Sequence, residues 1–477
     1  MHANWQRALT LNEKLYGIGE ELNPPFAMQF IIKGDNIIDP RLFNLAIDQL
    51  VDAYPMLSLK LEHKKWSYKG GKPLVLIHNK QCPEDFSSPL YRKKMNSNNG
   101  ECFEFHLFQT EVTTIVIRIL HSAMDGIGAM KMITTMFAIL KGETAEKISI
   151  HPTEKELRNQ IKVRPATNGG GFTNKWSGLR PTETGILNDF STLLMRFPSK
   201  IDNGIAKLVK WYARETNSTA QFLIPVNCRR HGAYTEVLSN LSLPIYLKTE
   251  PNQSINEIQA ELLKQLAANR ELGVDPLEKI ANLLPLFVLK RMFAKKAGRS
   301  FKSNKYAMSG YISDLGFIDL DTLSFGGFNA LDFYSIPVYT STIPICFSVV
   351  HHKFGTRICY SLSSKYNADN IKSSLESMLK PEKSTESHSD VGILISPLEL
   401  EIAEIWSKYL QELVTENDFN VSFTSLGGES LNLLFIVEEI GGKYCNNKQG
   451  LFLSEVLKQA GSISIRQMAE ALLKFKS

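Results

Sequence analysis

The sequence predicts a large mixed α/β body in two lobes, followed by a small all-α bundle, and three observations carry that expectation. Strongly β-branched runs, above all Thr113 to Leu120 (TTIVIRIL), alternate with amphipathic helical stripes through the first 380 residues. Lys380 to Asp390 (KPEKSTESHSD) then breaks the pattern with no hydrophobic residue and the Ser, Glu and Lys content of a flexible connector. Charge divides at the same place. From Ser396 onward eleven acids stand against seven Lys and Arg, a net of −4, so with +5 for the whole chain the first 395 residues carry +9. These shifts set expected boundaries at 1–165 for an N-terminal lobe, 166–380 for a second lobe, 381–395 for a linker and 396–477 for the bundle.

Phe26 to Lys33 reads as a strand ended by Gly34. Asp39 then caps a helix with Pro40 at its first position and a stripe of Leu42, Ala46, Ile47, Leu50 and Tyr54. Short strands follow near Ser58–Leu61 and Leu74–Ile77, and the long strand Thr113 to Leu120 leads into HSAMDG. A helix follows from about Ile127 to Leu140, with Gly142 placed to end it. Residues 162 to 190, with Gly169, Gly170 and Gly171 in a row, read as a crossover; the triplet lacks the Lys-Ser/Thr of a phosphate-cradling loop. The second lobe alternates again, with strands near Gln221–Val226 and Ile343–Val350 and helices near Asn252–Leu272 and Asn367–Leu379.

In the tail, Ser396, Pro397 and Glu399 form a capping box ahead of Leu398, Ile402, Ile405, Trp406, Tyr409, Leu410 and Leu413. Ser464 and Gln467 form a second, ahead of Ile465, Met468, Ala469, Leu472 and Leu473. Between them FTSLGGESLNLLFIVEEI (Phe423 to Ile440) is a loop running into a helix that Ser430 opens.

Composition excludes several classes. With 43% hydrophobic and 22% charged residues, 26 Phe and 15 Tyr, the chain can bury large cores. Its longest apolar stretch, Ala281 to Leu289, falls short of the roughly 18 residues that cross a bilayer. The opening MHANWQRALT has no secretory pattern. Cys82, Cys102, Cys228, Cys346, Cys359 and Cys445 are scattered without a CxxC pair, as expected of reduced thiols in a cytoplasmic protein with no zinc site. The net charge is too dilute for a nucleic-acid partner.

The tail resembles the acyl and peptidyl carrier proteins of polyketide and nonribosomal assembly lines, whose pattern F-x-x-L-G-G-x-S-L is filled here by Phe423, Leu426, Gly427, Gly428, Ser430 and Leu431. The resemblance implies a 4′-phosphopantetheine arm on Ser430, donated from coenzyme A by a phosphopantetheinyl transferase. A phosphodiester at a helix N-terminus meets free N–H groups and the positive end of the helix dipole. Glu429, Glu438 and Glu439 give the following helix an acidic face suited to basic partner enzymes.

HSAMDG matches the H-x-x-x-D-G core of the condensation-domain and chloramphenicol-acetyltransferase-like acyltransferases. LTLNEKLY (Leu9 to Tyr16), DAYPMLSLKLE (Asp52 to Glu62), IPVNCRR (Ile224 to Arg230) and SDLGFID (Ser313 to Asp319) resemble further family stretches in the family's order. The full motif is usually HHxxxDG, and Leu120 stands in place of its first histidine; Asp314 stands where Asn is common. His351-His352 lacks the D-G and is a decoy. The resemblance implies two α/β lobes in a V with a tunnel between them. His121, with an unperturbed pKa near 6.5, is implied as general base toward an acceptor hydroxyl or amine attacking an acyl thioester. Asp125 is implied to pair with Arg229 or Arg230, Gly126 to leave room for pantetheine, and Ser313 to donate to the oxyanion. No metal or redox cofactor is required.

The expected activity is therefore transfer of a carrier-bound acyl group to an alcohol or amine in secondary-metabolite biosynthesis, with a loading enzyme or upstream synthase acting in trans. The tether raises the local concentration of the carrier. The alternatives are an inactive docking platform, suggested by Leu120, and hydrolytic chain release.

Overall fold

A computed structural model describes residues 5–161, 175–273, 281, 283–380, 396–410, 413–423, 425–426, 428, 430–445, 448–457, 459 and 463–475, apart from the side chains of 430 and 431. The glycine triplet 169–171, the connector from residue 381, Gly427 and Glu429 lie outside the described residues. Contacts divide the chain into a first unit of residues 1–199, 221–246 and 271–371 and a second of 200–220, 247–270 and 372–477.

Two large sheets organise the first unit. Their strands are β1 (Ala27–Asp35), β2 (Leu74–His78), β3 (Phe103–Phe108), β4 (Thr113–Leu120), β5 (Phe190–Phe197), β6 (Ala220–Asn227), β7 (Ser242–Thr249), β8 (Gly310–Phe317), β9 (Asn329–Ile336), β10 (Ile345–His352) and β11 (Gly355–Ser363). The helices, across both units, are α1 (Leu11–Leu22), α2 (Pro40–Ala53), α3 (Gly126–Leu140), α4 (Glu154–Gln160), α5 (Gly204–Glu215), α6 (Ile255–Ala267), α7 (Leu286–Ser303), α8 (Ala368–Leu379), α9 (Pro397–Leu410), α10 (Ser430–Tyr444), α11 (Gln449–Leu457) and α12 (Ile465–Leu473).

One sheet runs β9-β1-β4-β3-β2 and the other β7-β6-β8-β10-β11-β5. β4 is buried along its whole length and pairs antiparallel with β1, Phe30 facing Ile117. β9 pairs with β1, Phe333 opposite Ile32, so residues 329–336 complete the sheet of the first lobe. A division at 165/166 would strip that sheet of its edge strand. The core beneath it takes Phe43, Ile47 and Leu50 from α2 and Met132, Ile133, Met136 and Phe137 from α3.

The helix caps form where expected. Asp39 accepts from the Arg41 N–H (2.8 Å) with Pro40 at the first position, and Gly142 follows α3 with φ +91°, the left-handed region that favours glycine. One register differs: Phe43 is fully buried while Leu42 is 39% exposed, because the larger ring occupies the core-facing position of the first turn. No described helix is long and apolar enough to cross a membrane.

The second unit ends in four helices, α9 to α12. Ser396 with Glu399 and Ser464 with Gln467 close reciprocal caps. Trp406, fully buried, donates to Met468 Sδ (3.3 Å) and meets the Phe423 ring edge-on at 4.8 Å. Leu413 does not extend the first stripe: α9 ends at Leu410, and Leu413 is 83% exposed.

Candidate functional site

The site grows from the end of β4. The Leu120 N–H donates to Cys102 O (2.9 Å) and the His121 N–H to Phe26 O (3.1 Å), after which the chain turns into α3 at Gly126. Asp125 caps that helix: Oδ1 accepts from the Gly128 N–H at 2.8 Å. Its other oxygen accepts from Arg229 Nη1 (3.0 Å), the Leu241 N–H (2.7 Å) and Ser242 Oγ (3.1 Å). Both partners of this ion pair are 3% exposed. Arg229 also donates to the carbonyls of Val237 and Ser239, so no charge or donor of the pair is left without a partner group nearby.

Arg230, the other arginine offered as Asp125's partner, is not one. It turns to Glu271 (Nη2 to Oε1 2.6 Å), which also contacts His231 Nε2 at 2.9 Å. The two arginines are consecutive in the single turn Cys228–His231 and so point apart.

In the first turn of α3, Gly128 tolerates no added bulk. A Cβ on Gly128 would lie 2.2 Å from the Leu238 carbonyl oxygen. Gly128→Ala is therefore expected to cost about 1–3 kcal/mol, read as a lowered thermal midpoint. At Gly126 the nearest atom to an added Cβ is Leu315 Cδ2 at 3.0 Å, the end of a flexible side chain.

His121 is half-buried and held on three sides. Nδ1 lies 3.2 Å from Met124 O, the Tyr16 ring stacks on the imidazole at 4.3 Å and 14°, and Asn240 Nδ2 donates to both the His121 and Ser122 carbonyls at 3.1 Å. A carbonyl only accepts, so Nδ1 carries the proton and Nε2 the lone pair. Burial pushes the imidazole pKa below its ordinary value, and the contact with Met124 O and the charge of Asp125 only partly offset this, so the ring is neutral at pH 7. Among the described residues no protein group bonds to Nε2. Tyr16 closes the stretch LTLNEKLY, but nothing in it marks that ring for stacking on His121, and Asn240 lies in no marked stretch at all.

His121 lines a cavity of about 830 Å³ within the first unit. Gly126, Asp125, Ser313 and Asp314 line it too, with Leu15, Ile18, Phe26 and Phe293 among its apolar walls. Ser313, on β8, is half-buried, and Asp314 Oδ1 accepts from the Gly316 N–H (2.9 Å), which stabilises the irregularity in the strand between Asp314 and Phe317. Leu120 is in the core, 2% exposed, and is not among the lining residues, so the missing first histidine removes no group from the cavity wall. His351 and His352 are occupied on β10 by Thr356 (2.9 Å) and Asp332 (3.1 Å). Chemically, the cavity presents one neutral imidazole lone pair, able to take a proton from a bound hydroxyl or amine.

In the second unit Ser430 is the first residue of α10. The turn before it needs glycine: a Cβ on Gly428 would lie 2.2 Å from Phe423 Cε1, and the Gly428 N–H donates to Phe423 O (2.8 Å). These residues fit a 4′-phosphopantetheine group on Ser430, because a fifteen-residue helix begins there with its free N–H groups. The acidic face is smaller than expected. Glu438 is exposed, but Glu439 accepts from Lys408 Nζ (2.8 Å) and Tyr409 Oη (2.7 Å).

No family model and no curated protein matches the chain. Solved structures do. The condensation domain of Monacolin K polyketide synthase MokA is 10% identical with a TM-score of 0.56, over 80% of this chain and 97% of that one. A mutant starter condensation domain of rhizomide synthetase RzmA, in complex with C8-CoA and Leu-SNAC, is 15% identical with a TM-score of 0.51, over 78% and 93%. The nonribosomal peptide synthetase FmoA3 in its AMPPNP-bound form is 14% identical with a TM-score of 0.53, over 85% of this chain and 46% of that one. The chain has the condensation-domain fold, the architecture found in polyketide and nonribosomal peptide synthetases.

Proposed function

We propose that the protein is a condensation-type acyltransferase that moves a thioester-bound acyl group to a hydroxyl or amine acceptor, with Ser430 as its own 4′-phosphopantetheine attachment site. One observation carries this reading: a neutral imidazole with an unclaimed Nε2 on the wall of an 830 Å³ cavity. His121 takes the acceptor's proton at Nε2 as the acceptor oxygen or nitrogen attacks the acyl carbonyl. The new C–O or C–N bond forms, the C–S bond breaks, and the imidazolium returns the proton to the leaving thiolate. Ser313 is assigned the hydrogen bond to the developing oxyanion. Asp125, whose oxygens are taken by Arg229 and three other donors, positions the loop and does not touch the reacting atoms. Bound at Ser430, the prosthetic group supplies the thiol that carries an acyl unit or an acceptor as a thioester.

Support comes from the shared fold and from the RzmA domain, which was solved in complex with C8-CoA and Leu-SNAC. Incubation with coenzyme A and a phosphopantetheinyl transferase is expected to add the mass of one arm to the intact chain and none to Ser430→Ala. A wild-type chain that stays unmodified overturns the carrier half of the proposal. Offering acyl-loaded carriers to a panel of amines and alcohols then tests the transfer half, with free acid at the same rate with and without acceptor counting against it.

A further inference from the structure

The helix α7 carries Lys290, Arg291, Lys295, Lys296, Arg299 and Lys302 and no acid in 18 residues. Its buried side is narrow: Leu289, Ala297 and Ser300. Leu289, Leu284 and Phe293 pack with Leu11 and Ile18 of α1. The opposite face is open, and its order is informative. Leu283, just before the helix, is 85% exposed, Phe287 is 73% exposed and Met292 54%. From Phe287 a single stripe continues at helical spacing through Arg291, Lys295, Arg299 and Lys302, all exposed. Lys290 is paired with Glu21 of α1, but among the described residues no carboxylate pairs with the four cations of the stripe. Met292, Lys295 and Arg299 are at once exposed and part of the cavity lining, so the stripe borders the cavity's opening.

We propose that this face of α7 seats on an anionic lipid surface, the cations against acidic headgroups and Leu283, Phe287 and Met292 in the apolar layer beneath. An acidic protein would satisfy the cations but offers no reason for a phenylalanine three-quarters in water at the end of their stripe. The bilayer interface supplies both, since a basic helix of this kind buries its apolar residues about 5–10 Å below the headgroups. Neither signal alone anchors a protein firmly, and here the two adjoin. Where the cavity takes an acyl chain, as proposed above, a seat at its opening lets an apolar product pass to lipid without crossing water.

Co-sedimentation of the full-length chain with vesicles tests this without any acyl transfer, so its outcome and that of the activity assays are independent. The probes are phosphatidylcholine vesicles and phosphatidylcholine vesicles containing about a quarter phosphatidylglycerol. Binding is expected to the second kind only. Moving from ~0.1 M to ~1 M salt, which shortens the screening length from about 10 to about 3 Å, is expected to weaken it strongly. Lys295→Glu with Arg299→Glu and Lys302→Glu is expected to reduce binding by at least about tenfold. Phe287→Ser with Met292→Ser leaves every charge in place and is expected to reduce it by about tenfold as well. All five positions are exposed, and circular dichroism checks that the variants fold. No enrichment on anionic vesicles overturns the proposal. So does full binding by the Phe287→Ser, Met292→Ser variant, which would leave charge alone holding the chain to the vesicles, with no apolar residue seated in the bilayer.

Discussion

Replacing His121 with Ala is expected to lower turnover about 10²–10⁴-fold, the usual worth of one positioned general base, or about 3–5 kcal/mol of barrier. The protein should remain folded. The imidazole's side-chain hydrogen bond is the one to Met124 O, the ring is half-buried, and it sits on a cavity wall that already exists. Thermal unfolding close to wild type beside a collapse in product formation separates loss of chemistry from loss of structure. The pH profile adds a second readout. The base works only when neutral, and burial lowers its pKa from 6.5, so its fraction neutral stays high as pH falls through 6.5. Acyl transfer should hold its rate there and decline only at lower pH, with the acidic limb absent from whatever slow rate His121→Ala retains. Near-wild-type product formation by His121→Ala would instead favour a docking platform.

The motif around His121 was legible because it is local. Strand, turn and helix follow one another within 28 residues, and the cap, the buried β4 and the apolar face of α3 all leave marks in the order of residues. The capping boxes at Ser396 and Ser464 were legible for the same reason. What joins distant parts of the chain was not. Asp125 and Arg229 are 104 positions apart, and only the course of the turn after β6 decides between Arg229 and its neighbour. β9 completes the first sheet by pairing with β1 some 300 residues earlier, a choice that hydrophobic alternation within either strand does not encode. Asn240, in the unremarkable LSNLS, reaches back to two carbonyls of the His121 loop, and Tyr16 supplies a ring from α1. Leu42 and Phe43 were exchanged because periodicity places a stripe only to within a position at its ends.

Arg229→Ala is expected to destabilise the first unit by about 3–5 kcal/mol, because it leaves the Asp125 carboxylate buried without its counter-charge. At about 2 °C per kcal/mol for a body of this size the unfolding midpoint should fall by about 6–10 °C. Asp125→Asn should cost a similar amount, because its one amide oxygen can cap α3 or accept from the Leu241 N–H but not both, its NH2 group then faces donors, and Arg229 is left without its counter-charge. The double variant should lose less than the two single losses added together, because removing one charge makes the other's absence cheaper. Activity should fall with stability in a particular way. The Leu241 N–H is fixed by Asp125, and the adjoining Asn240 holds the carbonyls of His121 and Ser122. Loosening Asp125 therefore loosens the frame that aims Nε2, and kcat should drop more than substrate affinity. An Arg229→Ala protein that melts with the wild type would mean that the pair contributes nothing net, and that some other contact sets the loop.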